Sequence, residues 1–166
     1  MKNLIIFIFL VLLCNATKAQ NCLTEKDEQT GESIKLASTS LITDSLKRPT
    51  VLSFIKRVDR NFIRIVFWSD VDSTAINSGS FKLSIGFTNG ENKVFTIDNG
   101  RLLKRGQGTL VRLRSVLTPT ELLYFRQNAI IYITATQVEG NQILLTIQPS
   151  SEQAAIIMAS PKCLDD

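Results

Sequence analysis

The sequence predicts a mainly β fold: an antiparallel β-sandwich or partly open barrel of about seven strands, with one or two short helices. Apolar and polar residues alternate over several short runs, and turn-forming Gly, Asn, Asp and Pro residues separate these runs. Helix-starting signals occur at only two places in the chain. Because helical patterns do not alternate with strand patterns, a parallel sheet built from βαβ units is disfavoured.

Residues 1–19 have the pattern of a secretory signal peptide: a lysine, the apolar run Leu4–Leu13, and a small-residue segment ending at Ala19. The apolar run is too short for an ordinary membrane-spanning helix. Cleavage after Ala19 would leave residues 20–166 as a single domain in the periplasm, at the outer surface or in the extracellular space. The rival interpretation is a lipoprotein signal ending at Cys14, which the bulky residue before that cysteine disfavours.

The net charge of the exported domain is small. Removal of the signal peptide takes away two lysines and no acidic residue, so the formal charge falls from +4 to +2. This weak charge and the scarcity of aromatic residues argue against nucleic acid as a partner. A chain of this length can bury a sizeable core without help from a metal, and the sequence predicts no cofactor.

Two cysteines remain after cleavage, Cys22 and Cys163, at the two ends of the domain. In an exported protein this arrangement predicts a disulfide that joins the termini. A catalytic cysteine is disfavoured, because the chain contains no histidine that could hold the thiol as a thiolate.

The first half of the domain predicts an arm followed by two strands. The polar segment from Leu23 to Asp44 contains short apolar pairs, which suggest edge strands or an ordered arm. Two runs rich in β-branched residues, Val51–Val58 and Phe62–Trp68, predict a hairpin with a polar connection over residues 59–61. Both faces of the second run are largely apolar, which predicts a central strand with Arg64 near one rim of the sheet.

The clearest hairpin pattern lies in the middle of the chain, where alternating strands flank an Asn-Gly dipeptide. A three-residue loop, Thr88–Gly90, would pair Leu83 with Phe95 and Phe81 with Ile97. A two-residue turn would instead set these apolar residues opposite polar ones. The sequence therefore favours the three-residue loop, with its glycine in the left-handed conformation.

The last third of the chain combines strands with two capped helices. Thr118, followed by proline and by Glu121, predicts a helix over residues 119–127 that stops at a left-handed Asn128. A hairpin across residues 139–141 follows. Ser150, with glutamine three residues later, predicts a second short helix over residues 151–159, which Pro161 ends.

A basic run without acidic residues is the main charge feature of the chain. It follows the central hairpin and contains five residues: Arg101, Lys104, Arg105, Arg112 and Arg114. We expect residues 101–109 to form a loop and residues 110–117 to form a strand, which would place Arg112 and Arg114 on one face. A second basic cluster would lie near this run: Lys47, Arg48, Lys56, Arg57, Arg60 and Arg64. The rival interpretation is a solvated outer face of the sheet.

Common catalytic and metal-binding arrangements are missing from the sequence. Without histidine, Ser-His-Asp and Cys-His triads and histidine-ligated zinc are excluded. Paired carboxylates remain available, and the candidates are Asp70 with Asp72, Asp98 and Glu121. These acidic residues lie in predicted turns, loops or a helix cap, where acidic residues are common. A calcium loop starting at Asp70 is disfavoured, because alanine occupies the position that requires glycine.

The sequence therefore predicts a non-catalytic exported binding or assembly module. The basic run is its candidate site, and the expected partners are an anionic glycan, a lipid headgroup or an acidic protein. Two alternatives stay open: a glycosidase-like hydrolase that uses two carboxylates, and a structural partner of another envelope protein.

Overall fold

The computed structural model describes residues 21–26, 31–42, 48–69, 76, 79–98, 100–105 and 108–165. This part of the chain is mainly β and contains ten strands: β1 Asn21–Lys26, β2 Ser33–Ile42, β3 Pro49–Arg57, β4 Arg60–Ser69, β5 Phe81–Phe87, β6 Asn92–Ile97, β7 Arg101–Arg105, β8 Gly108–Leu117, β9 Ile130–Gln137 and β10 Gln142–Ile147. The predicted signal peptide and Cys14 lie outside these described residues, as do Asp70 and Asp72.

The strands form two antiparallel sheets that pack as a sandwich and do not close into a barrel. The larger sheet has the order β1-β2-β3-β4-β8-β7, and the smaller sheet has the order β10-β9-β5-β6. Their inner faces bury large side chains completely; these include Phe54, Ile63, Ile65, Phe67, Phe81, Leu83, Ile85, Phe87 and Leu113. The predicted fold class is thus confirmed, with ten strands instead of about seven.

The predicted register of the central hairpin is confirmed. In β5 and β6, Leu83 lies opposite Phe95, and the other predicted apolar pair forms as well. The Phe87 amide donates to the Glu91 carbonyl and the Gly90 amide donates to the Phe87 carbonyl, each over 3.0 Å. Gly90 has a φ of +83°, so the loop has three residues and needs its glycine.

Two segments contain more strand than the sequence predicted. The predicted loop over residues 101–109 instead contains strand β7, which pairs with the start of β8 at the edge of the larger sheet. The segment expected to form edge strands or an arm contains β1, which is an edge strand, and the long strand β2, which lies inside the sheet and pairs with β3 along nine residue positions. Strands β1 and β7 are the edges of the larger sheet, and a strand with one neighbour only can form without a strong apolar pattern.

The connection between β3 and β4 is tighter than predicted, because it consists of Val58 and Asp59 alone. Arg57 lies directly opposite Arg60 across this turn. Val58 has a φ of +52°, although it is β-branched and 55% exposed. A β-branched residue strains the backbone in this region.

We expect Val58→Gly to raise the free energy of unfolding by about 1 kcal/mol, because glycine adopts positive φ without the Cβ clash. Urea denaturation measures the change. Val94→Gly is the matched control: Val94 is 53% exposed and lies in β6, where φ is not positive, so glycine should destabilise the protein there. A Val58→Gly variant as unstable as this control would contradict the strain at residue 58.

Both predicted helices are present with their caps. Helix α1 spans Pro119–Gln127 and α2 spans Ser151–Ala159. At the start of α1 the Thr118 hydroxyl accepts from the Glu121 amide over 3.2 Å, and the Glu121 carboxylate accepts from the Thr118 amide over 2.7 Å. Ser150 caps α2 in the same way. These reciprocal bonds satisfy amide groups that have no partner within the helix.

The end of the first helix differs from the prediction, whereas the second helix ends where it was predicted to end. Asn128 has an extended backbone, with a φ of −126°, and is not left-handed. Its side-chain amide donates to the Tyr124 carbonyl over 3.0 Å, so a side chain closes the helix where a left-handed residue was expected. The second helix ends at Ala159, before Pro161, as predicted, and a 3₁₀ turn follows over Ser160–Leu164. Proline is tolerated in the first turn of such a segment.

The carboxyl-terminal turn is attached to the body by a disulfide, an ion pair and hydrogen bonds. Cys163 forms the predicted disulfide with Cys22 of β1, with 5.8 Å between the Cα atoms. The Lys56 ammonium donates to the Leu164 carbonyl over 3.0 Å, and Arg126 of α1 forms an ion pair with Asp165. No helix among the described residues combines the length and the apolar character needed to cross a membrane.

Candidate anion-binding site

A cavity of about 500 Å³ opens on the outer face of the larger sheet, where β4 and β8 meet the segment that leads from β6 into β7. Four arginines line it: Arg64, Arg101, Arg112 and Arg114. We call this cavity the arginine pocket. Its remaining lining residues are Ile55, Thr96, Ile97, Asp98, Ser115 and Val116.

Strand register places the four guanidinium groups together. Arg64 of β4 lies directly opposite Arg114 of β8, and Arg112 of β8 lies directly opposite Arg101 of β7. Their sequence neighbours in β4 and β8 are buried in the sandwich, including Ile63, Ile65, Val111 and Leu113. Because successive side chains alternate between the faces of a strand, the arginines must occupy the outer face.

The positive charges of the pocket are not neutralised by ion pairs within the described part of the chain. The only carboxylate among the described lining residues, that of Asp98, accepts a hydrogen bond from the Ser80 hydroxyl over 3.1 Å. The Nε atoms of Arg64 and Arg112 are buried and have no hydrogen-bond partner. Like charges placed opposite each other in a sheet destabilise it, so the cluster has an electrostatic cost.

Arg64 shows this cost most directly. Burial lowers the pKa of its guanidinium below the ordinary value, and the positive charges of Arg112 and then Arg114 lower it further. The Glu25 carboxylate acts weakly in the opposite direction. An arginine remains charged at neutral pH despite such shifts, so the pocket keeps its positive potential and would favour a bound anion.

An aromatic ring supports one wall of the pocket. The Arg114 guanidinium lies over the Phe62 ring of β4, 5.0 Å from the ring centroid. Stacking of this kind orients the planar guanidinium while leaving its N–H groups free to donate. The Arg64 side chain is oriented by a weak contact, 3.5 Å from one of its terminal nitrogens to the Ser53 hydroxyl.

The structure brings together part of the predicted basic run. Arg101, Arg112 and Arg114 line the pocket, and the last two share a face as expected. Lys104 and Arg105 belong to β7, but their side chains lie outside the described part of the structure.

Among the described members of the second cluster, Arg64 alone lines the pocket. It lies in the middle of the central strand β4, so the prediction that it lies near a rim was wrong. The hairpin with β3 and the pairing with β8 extend on both sides of residue 64. Arg57 forms an ion pair with Glu32 at 2.9 Å, and Lys47 lies outside the described residues.

The two carboxylate candidates that the structure describes, Asp98 and Glu121, do not lie together in one site. Glu121 is engaged in the cap of α1, while Asp98 lies at the pocket. Among the residues that the structure describes, no group of three potential metal ligands occurs. Comparison of the chain with protein-family models, with curated proteins and with solved structures finds no match.

Proposed function

We propose that this protein is an exported, non-catalytic binding module whose arginine pocket takes up an anionic group. The convergence of four arginines on one cavity without a paired carboxylate in the described chain carries this proposal. Guanidinium groups bind carboxylates, sulfates and phosphates through paired N–H donors. A cavity of this size is within the range of ligand sites.

A hydrolase that uses two carboxylates has less support. Such an enzyme needs two carboxyl groups roughly 5–10 Å apart around the scissile bond. Within the described residues the pocket contributes Asp98 alone, surrounded by cationic side chains. Positive charges nearby stabilise a carboxylate in its ionised form and so work against a role as a proton donor.

The Arg112→Gln/Arg114→Gln variant should bind citrate at least about tenfold more weakly than the wild type, since a hydrogen bond to a charged group contributes about 1.5–3 kcal/mol. Isothermal titration with citrate at fixed ionic strength measures the dissociation constant. Citrate serves as the probe because it carries several carboxylates in a compact molecule.

The matched control is Arg60→Gln/Lys162→Gln. It removes the same two charges from exposed positions that do not line the pocket. This variant should change citrate affinity less than about twofold, because exposed charges act weakly at a distance in salt. If both double variants bind citrate equally weakly, the loss of affinity is an effect of net charge and the proposed site is wrong. The proposed site is also wrong if the wild type does not bind citrate.

A further inference from the structure

A row of apolar side chains crosses the outer face of the larger sheet beside the pocket. Direct strand partners place five residues side by side across β1, β2, β3, β4 and β8: Leu23, Leu36, Ile55, Phe62 and Val116. We call this row the apolar strip. With neighbouring strands about 4.8 Å apart, it is about 19 Å long. Its two ends are exposed, Leu23 to 50% and Val116 to 54%.

The apolar strip and the arginine pocket form one continuous surface. Ile55 and Val116 belong to both, since they line the cavity as well as the strip. Arg64 and Arg114 lie two residues further along the strands that contribute Phe62 and the last strip residue. Two residues along a strand is the spacing between adjacent side chains on one face. A single ligand could therefore contact both apolar and cationic groups.

The composition of this surface is typical of the centre of a protein interface. Such centres are enriched in aromatic residues and arginine and are depleted of lysine and acidic residues. Among the described residues, no lysine belongs to the strip or lines the pocket, and the carboxylates near this surface are those of Asp98, which lines the pocket, and Glu25, two residues from Leu23 along β1. Arginine combines charge with a flat stacking surface, as Arg114 does on Phe62, and it is favoured over lysine where ion pairs become buried.

The charge and shape of the surface select among possible occupants. A second copy docked with its two-fold axis through the pocket would set the four arginines against the same four residues, and like charges across an interface oppose association. A single lipid chain on the strip would stay open to water on one side, whereas ligand sites usually bury most of a small ligand. A protein segment would cover the strip with its own backbone and side chains and so shield it from water.

We propose that the arginine pocket and the apolar strip together dock an acidic segment of a partner protein. A carboxylate of that segment enters the pocket and its neighbouring apolar side chains lie on the strip. This proposal rests on the proposed function, which supplies the anionic contact, and it adds the class of partner. The apolar strip supplies affinity by burial, and the arginines select for acid.

Selection of a random displayed peptide library on the immobilised protein tests the proposal. We expect enriched peptides to combine Asp or Glu with apolar residues, and to bind at least about tenfold more weakly to Leu23→Ser/Leu36→Ser, which removes part of the strip outside the pocket. The control Val94→Ser/Ile143→Ser removes exposed apolar residues of the smaller sheet and should retain peptide affinity. Citrate affinity should be unchanged in both variants.

The other possible results distinguish a failure of the partner proposal from a failure of the proposed function. If citrate binds but the peptides do not distinguish the strip variant from its control, the partner proposal is wrong while the proposed function stands. If citrate does not bind, the proposed function itself fails. Binding of anionic phospholipid vesicles that depends on the strip, without peptide binding, would also overturn the partner proposal. The single variant Leu23→Ser, at a half-exposed position, repeats the test if the double variant does not fold.

Discussion

Substitution of Phe125 by alanine is expected to lower the free energy of unfolding by about 3–5 kcal/mol, the cost of removing a buried aromatic side chain. Phe125 lies in α1 and is 1% exposed. Its ring contacts Phe54 of the larger sheet and Phe87 of the smaller sheet, each with 5.3 Å between ring centroids, and it stacks on Phe95 at 6.3 Å. It therefore joins both sheets through one side chain.

Chemical denaturation of the oxidised protein measures this loss. Leu123→Ala in the same helix is the matched control, because Leu123 is 50% exposed and contributes little to the core. The free energy of unfolding of this control variant should fall by less than about 1 kcal/mol. A Phe125→Ala variant that loses no more than the control would mean that α1 does not contribute to the sandwich core as the structure shows.

Removal of the disulfide should have the second large effect. We expect Cys22→Ala/Cys163→Ala to lower the free energy of unfolding by about 2–5 kcal/mol. The bond links residues 141 positions apart, so its loss frees much of the unfolded chain. Strand β1 depends on it most: its residues from Cys22 to Lys26 are exposed, and β2 is its only strand neighbour within the described part of the chain.

Hydrogen exchange locates the effect within the fold. Without the disulfide the amides of β1 should lose protection first, while those of β4 and β8 in the centre of the sheet should keep it. The carboxyl-terminal turn should remain attached through Lys56 and Arg126. Wild-type protein that has been reduced and alkylated should behave like the double variant. Unchanged stability after reduction would contradict the stabilising role of the disulfide.

The structural features that were predicted correctly are determined by residues close together in the sequence. Alternation over β5 and β6 determines which of their residues are buried, and this fixes the hairpin register and the three-residue loop. The caps at Thr118 and Ser150 are formed by residues three positions apart. Side chains that satisfy amide groups within one turn of helix act independently of the rest of the fold.

The predictions that failed depend on partners elsewhere. Residues 101–105 have turn-like surroundings, but they become a strand because β8 offers an unpaired edge. Asn128 satisfies the end of α1 with its side chain, since the chain must enter β9 in an extended conformation. The conformational preference of a short segment is weak compared with the free energy of pairing a strand or of directing the chain into the core.

Local sequence patterns are sufficient to predict the mainly β fold, the central hairpin, the helix starts and the placement of Arg112 and Arg114 on one face. The pairing of β4 with β8, which brings Arg64 opposite Arg114 and creates both the arginine pocket and the apolar strip, is visible only in the folded protein. Periodicity assigns residues to the two faces of one strand but does not identify the strand beside it. The choice of neighbouring strands follows from burial summed over both sheets, which no local pattern encodes.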